Sequence, residues 1–228
     1  MRDVAVGLQV RLHSSRLPRK ALLPLEGKLV IEHAMDALAA TGIEHRYILT
    51  DEESAPVLAP LGERYGFSLL VGDPQDVLGR YARMAEVTGA PVVVRATGDN
   101  PAVSARMCLE AIKLRHASGA DLAGFDQLPL GTGVEVLSAK ALLRSHREAV
   151  LADEREHVTL HIYRNRDAYL VDRRPAPREA RMEKGRITLD TEEDYRIIEE
   201  VYRRRYRGVP LEVEEVIGEL ERLLVCRC

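Results

Sequence analysis

The sequence predicts a doubly wound α/β protein on a mostly parallel sheet, and two observations carry that prediction. Apolar runs of strand length alternate with amphipathic stretches of helix length through residues 1–119. The runs VAVGLQV (4–10), RYILT (46–50), FSLLV (67–71) and PVVVRAT (91–97) are almost continuously apolar. Strands covered by helices on both faces require that, whereas a half-solvated strand alternates.

Each element has its own signal. LVIEHAMDALAATG (29–42) spaces Leu29, Ile31, Met35 and Leu38 along one side of a helix and stops at Gly42. SAPVLAPLGERYG (54–66) predicts a helix with Ser54 as cap, Pro56 in the first turn and Gly66 as the stop. DVLGRYARMAEVTG (76–89) is the third helix, and SARMCLEAIKLRHASG (104–119) the fourth, capped by Ser104. From residue 120 the rhythm shortens. ADLAGF, GVEVLS, AYLVD and RITLD read as strands, with helices over 138–147 and 154–165. RRPAPREARMEKG (173–185) is a Pro- and charge-rich connection, and TEEDYRIIEEVYRRRY (191–206) a helix, acidic early and basic late as its dipole favours. The expectation is one domain over 1–228, with 1–119 as one half and 120–228 as an extension on the far side of a shared cleft.

The totals narrow the function. The chain has 228 residues, 46% apolar and 30% charged, with a net charge of −3. That profile fits a globular protein and lacks the broad basic surface of a nucleic-acid binder. No apolar run is long enough to span a bilayer, and no secretory signal pattern opens the sequence. A cytoplasmic location with no membrane partner is the default expectation. Cys108, Cys226 and Cys228 are too few for a disulfide framework. The C-x-C tail offers two thiolates without further ligands, so a frayed terminus outweighs a soft-metal site.

Against that acidic background, the loop RLHSSRLPRK (11–20) concentrates Arg11, Arg16, Arg19 and Lys20 directly after the first strand. In doubly wound sheets ligands collect beyond the carboxyl ends of the strands. Arginine forks, a lysine point charge and backbone amides there suit a polyphosphate. A merely solvated basic loop is the alternative; Walker A and G-x-G-x-x-G patterns are absent. Asp99, in VVVRATGDNP, follows the fourth strand at the same sheet edge, where a carboxylate can hold Mg²⁺ against phosphate oxygens or make an Asx turn before Pro101. Asp190, in RITLDTEEDY, either joins Asp99 around a metal or is the acidic residue before a helix capped by Thr191.

Taken in order, LQVRLHSSRLPRKALLPLEGK, GDPQDVLGRYARMAE, VVVRATGDNP, PLGTGVEVLSAKAL, REHVT and TLDTEEDY resemble the SpsF-type cytidylyltransferases of surface polysaccharide synthesis. These are relatives of CMP-Kdo synthetase and acylneuraminate cytidylyltransferase. The resemblance spans about residues 4–200. It implies an α/β nucleotidyltransferase that moves CMP from CTP to a sugar or sugar acid, with Mg²⁺, releasing pyrophosphate. It also implies a homodimer. By matching position, Arg11 and Lys20 are similar to the family's triphosphate-binding pair, and Ser14, Ser15 and Arg16 shape the same loop. Leu8 and Gln9 would lie along the base. Asp76, Val77, Leu78, Arg80 and Tyr81 would line the nucleotide side. Gly131, Glu135, Glu156, His157 and Thr159 would face the acceptor, and Asp99 and Asp190 would hold the metal.

Three positions depart from the family pattern. His13 and Arg19 stand where the loop usually has glycines, and Gly133 stands where an aspartate is usual. Glycine lets backbone approach phosphates closely, so His13 and Arg19 either obstruct that approach or add donors; an outward, solvated Arg19 is the favoured reading. The missing carboxylate at 133 leaves the acceptor open, and these departures keep a non-catalytic nucleotide-binding module in play. A sugar-nucleotide glycosyltransferase is a third reading, but it would show D-x-D where this chain has GDNP. His157 is either a general base or an orienting side chain sharing a helix face with His161.

Overall fold

The computed structural model describes residues 1–13 and 16–225. Ser14, Ser15, Cys226 and Cys228, named above, lie outside the described residues.

The apolar runs form the strands β1 (Val4–Gln9), β4 (His45–Thr50), β5 (Ser68–Val71) and β6 (Val92–Thr97). A small hairpin of β2 (Pro24–Leu25) and β3 (Lys28–Leu29) turns through Glu26 and Gly27, both at positive φ. The later half adds β7 (Leu122–Asp126), β8 (Glu135–Ser138) and β9 (Val171–Pro175) to the same seven-stranded sheet, in the order β5-β4-β1-β6-β8-β7-β9. Only β8 runs against its neighbours; the other adjacent pairs in this sheet are parallel.

Alternation along β1 sorts side chains between two cores. Val4, Val6 and Leu8 meet α1 (Val30–Ala40), α2 (Ala55–Tyr65) and α4 (Ala105–Ser118) on one face. Ala5 joins Leu49 and Val93 on the other, under α3 (Val77–Thr88) and α5 (Ala139–Glu148). Each fully buried Leu, Ile or Val contributes on the order of 1.5–3 kcal/mol, which sets the register of the sheet. A third cluster packs Ile187, Leu189, Ile198 and Leu211 beneath α8 (Glu192–Arg205) and α9 (Val213–Val225). Among the described residues no helix is long and apolar enough to cross a membrane.

Four expectations are corrected. The stretch 154–165 is not one helix but α6 (Ala152–Glu156) and α7 (Leu160–Arg164). The β-branched pair Val158 and Thr159 separates them, and the Thr159 hydroxyl donates to Glu135 at 3.0 Å. His157 therefore sits exposed at the break, while His161 is buried between Glu148 and Glu154, so the two share no helix face. RITLD makes a single bridge, Leu130 with Arg186, rather than a strand. The Ser54 hydroxyl does not cap α2; it accepts from the Leu12 amide at 3.0 Å and pins the basic loop. The connection 173–185 contains the end of β9 and a short 3₁₀ turn, Arg178–Ala180. Ser104 and Thr191 do cap α4 and α8, accepting from Met107 and Asp194 amides at 3.2 Å each.

Candidate functional site: a two-chambered cleft at the sheet edge

The chain leaves β1 for β4 on one side and places β6 on the other, so connections diverge above the carboxyl ends of β1 and β6. Gln9 and Thr97 are partners in that ladder, and both line a cavity of about 480 Å³. The basic loop closes over it. Arg19 donates its amide to the Leu12 carbonyl at 3.0 Å and keeps a left-handed φ of 54°. A glycine would adopt that conformation freely; for other residues it costs about 1–2 kcal/mol. Arg19 itself is exposed and does not line the cavity, as the outward reading expects. His13 does line it and pairs with Glu53 at 2.8 Å.

Lys20 is the hub. Its ammonium lies 2.5 Å from Asp99 and 2.8 Å from Asp190, so two carboxylates 91 residues apart in sequence (190 less 99) converge on one cationic point. The Leu189 amide donates to the Asp99 carbonyl at 3.0 Å, and this backbone bond, not a sheet strand, draws Asp190 in. Arg16 (3.2 Å) and Arg186 (2.5 Å) also reach Asp190. Partial burial pushes the Asp190 carboxyl up, but Lys20, Arg186 and Arg16 outweigh it and hold the group below its ordinary value.

Arg11 pairs with Glu156 at 3.0 Å across the cavity mouth. Arg80 is buried beside the cavity, and among the described residues its Nε and Nη1 have no partner. Burial lowers its pKa, and the nearby charge of Arg11 adds to this. A buried guanidinium with idle donors is costly unless an anion or carbonyl completes it.

Thr97 and His157 border both this cavity and a second one of about 480 Å³. In the second, Glu135 accepts from Arg95 (2.8 Å), Thr159 (3.0 Å) and Tyr163 (2.8 Å). Arg173 pairs with Asp126 at 2.7 Å on the same wall. Gly131 has φ 105°, and a Cβ there would lie 2.9 Å from the Ile187 backbone carbon. At Gly133 a Cβ would meet Leu128 Cδ1 at 2.9 Å, so an aspartate would displace that side chain.

Arg11, Arg16, Lys20, Gln9, Arg80, Asp99, Glu156 and His157 thus border the first chamber, and Gly131, Glu135, Thr159 and His157 the second. Asp190 joins through Lys20. Four side chains lie elsewhere. Tyr81, expected on the nucleotide side, is fully buried in the core under α3 and does not line the cleft. Leu8 and Leu78 are fully buried in the two cores, because they point away from the cleft when Gln9 and Val77 point into it. Asp76 caps α3, accepting from the Gly79 amide at 2.8 Å, and faces Arg155 at 3.3 Å; it does not line the cleft. Arg95, Tyr163 and Arg173 were missed. Arg95 alone carried a signal: a lone charge inside the apolar run VVVRAT, where burial demands a partner.

The donor set suits Mg²⁺ as a shared ion. Among the described residues there is no cluster of three or more His, Cys, Asp or Glu able to hold a metal alone. Mg²⁺ commonly takes one or two carboxylates and completes its shell with substrate phosphates and water. Asp99 and Asp190, already converging on a cation, provide such a pair.

A family model described as Cytidylyltransferase matches residues 5–217. The chain is 29% identical to spore coat polysaccharide biosynthesis protein SpsF of Bacillus subtilis (strain 168), over 97% of this chain and 95% of that one. It is 34% identical to a 3-deoxy-manno-octulosonate cytidylyltransferase of Syntrophobacter fumaroxidans, over 54% of this chain and 52% of that one. Among solved structures, a cytidylyltransferase from Leptospira borgpetersenii superposes with a TM-score of 0.84 at 21% identity, covering 100% of this chain and 96% of its own. A CMP:2-keto-3-deoxy-manno-octonic acid synthetase complexed with CTP superposes with a TM-score of 0.66 at 13% identity, covering 88% and 98%. At such identities the structural likeness bears on the fold alone.

Proposed function

The chain belongs to the cytidylyltransferase family, and we propose that its cleft transfers CMP from CTP to a hydroxyl of a sugar or sugar acid, releasing pyrophosphate, in the synthesis of a surface polysaccharide or glycoconjugate. The observation that carries this reading is the convergence of Lys20, Asp99 and Asp190 at the junction of the basic loop and the sheet edge. Residues 1–119 serve the nucleotide, and the second chamber, built mostly from residues after 120, serves the acceptor.

The reaction needs no covalent enzyme intermediate. An acceptor oxygen attacks the α-phosphorus in line and pyrophosphate leaves, so catalysis is chiefly positioning and charge neutralisation. Arg11, Arg16 and Lys20 line the wall where triphosphate oxygens would lie. They neutralise the charge that gathers on the leaving pyrophosphate. Arg80 offers its idle donors to the nucleotide, which offsets the cost of its burial. His157 borders both chambers, a position from which an imidazole can take the proton of an acceptor hydroxyl. Mg²⁺ held by Asp99 and Asp190 would supply further neutralisation of phosphate charge.

The test is pyrophosphate release from each of the four nucleoside triphosphates with a panel of sugars, sugar acids and polyols. CTP-dependent release is expected, with Asp99→Asn lowering it about 10²- to 10³-fold while CTP still binds. Tight CTP binding with no turnover across the panel would instead mark a nucleotide-binding module.

A further inference from the structure

Inside β6, Arg95 links the two chambers. It is partly buried, and two of its donors are spent on fixed partners. Nη1 donates to Glu135 at 2.8 Å, and Nε donates to Gln9 Oε1 at 3.1 Å. Glu135 is held in turn by Thr159 and Tyr163. The Tyr81 hydroxyl, with one hydrogen to donate, lies 2.8 Å from the Gly7 carbonyl and 3.1 Å from that of Ala96. A Cβ at residue 7 would lie 2.4 Å from the Tyr81 ring, so glycine there makes room for this arrangement.

The consequence falls on Gln9. An amide side chain can be turned either way, and its two ends differ in hydrogen-bonding sense. A guanidinium only donates, so Arg95 must face the Gln9 oxygen. The Gln9 amino group is then turned away from Arg95, and among the described residues nothing accepts from it. Gln9 lines the nucleotide chamber together with Val77 and Arg80.

We propose that Arg95 is a positioning residue that fixes Gln9 as a donor to the pyrimidine edge, and that this Gln9–Arg95 pair selects cytosine over uracil. The inference rests on the proposed use of CTP at this site. Cytosine presents acceptors at N3 and O2. Uracil carries a hydrogen on N3, which would face the Gln9 N–H. A site built to hydrogen-bond one pattern rejects the other because groups are left unpaired.

The sharp test reverses the donor. Gln9→Glu keeps the shape and an oxygen for Arg95, but turns an acceptor toward the base. CTP and UTP are titrated calorimetrically, with Mg²⁺, into the wild type and the variant, and thermal unfolding checks that both are folded. The expected result is a wild-type preference for CTP of about tenfold or more, falling to parity or reversing in Gln9→Glu. The added negative charge weakens both nucleotides, so the ratio is the readout. An unchanged CTP:UTP ratio in the variant, or a wild type that binds both alike, overturns the inference while leaving the cytidylyltransferase reading intact. A wild type that binds no CTP overturns that reading and the inference together. Arg95→Gln is the companion variant: loss of the CTP preference with the fold retained supports the positioning role, and a retained preference counts against it.

Discussion

Replacing Lys20 by Met removes the cation between Asp99 and Asp190 while keeping most of the side-chain volume. Both carboxylates lie within 2.8 Å of the ammonium, and all three side chains are largely buried, with 14–26% exposure. Two like charges about 5 Å apart repel by about 3 kcal/mol at an effective dielectric constant near 20. Arg16 and Arg186 remain on Asp190 and the carboxylates keep some solvent, so a net loss of about 1–2 kcal/mol is expected. For a chain of this size that lowers Tm by about 2–8 °C. The pH dependence identifies the cause. Asp190 titrates below its ordinary value in the folded state, so its stabilisation is present above the unfolded value of about 3.9 and lost as pH falls through the folded one. The gap between wild type and Lys20→Met is therefore full at pH 7 and closes in acid. Thermal unfolding across pH 3–7 measures it. A constant gap would refute the ammonium bridge as its origin. Divalent cations without nucleotide should also stabilise the variant more than the wild type, because the cation position is vacated.

Arg80→Met trades function for stability. It removes a buried guanidinium whose Nε and Nη1 lack partners among the described residues, so Tm should rise while CTP affinity, read by titration, falls about tenfold or more. Gly131→Ala places a Cβ against the Ile187 backbone at a φ of 105°. It should destabilise the fold by about 1–3 kcal/mol in chemical denaturation, and raise KM for the acceptor more than KM for CTP.

How much of this was legible from the residues depends on which forces acted locally. The strands β1, β4, β5 and β6 followed from their own apolar runs, and the basic loop from its place after β1. Side-chain direction needed the two periods to be applied to the motifs. In β1 the period of two turns Gln9 to the cleft and Leu8 to the core. On α3 the spacing of three places Val77 and Arg80 at the cleft and Leu78 with Tyr81 in the core. A motif match treats such neighbours alike, so Leu8, Leu78, Tyr81 and Asp76 read as nucleotide residues in the sequence although none of them faces the cleft. The break at His157–Thr159 was hidden because Thr159 leaves the helix for Glu135, a partner 24 residues away. The helix α9 went unassigned although Val213, Val216, Ile217 and Leu220 lie on one helical face. Asp190 meets Asp99 without a strand: the Leu130–Arg186 bridge and the Leu189 amide bond to the Asp99 carbonyl hold that segment at the sheet edge. Pairings such as Arg95 with Gln9, 86 residues apart, exist only once β1 and β6 are side by side.

The account stands most directly on where CTP binds. A crystal structure of the wild type with CTP and Mg²⁺ should place the phosphates against Arg11, Arg16 and Lys20, the metal between Asp99 and Asp190, and the base beside Gln9. Density for the nucleotide in the neighbouring cavity bordered by Asp51 and Asp73, with Lys20 still bridging its two carboxylates and no metal there, would contradict it.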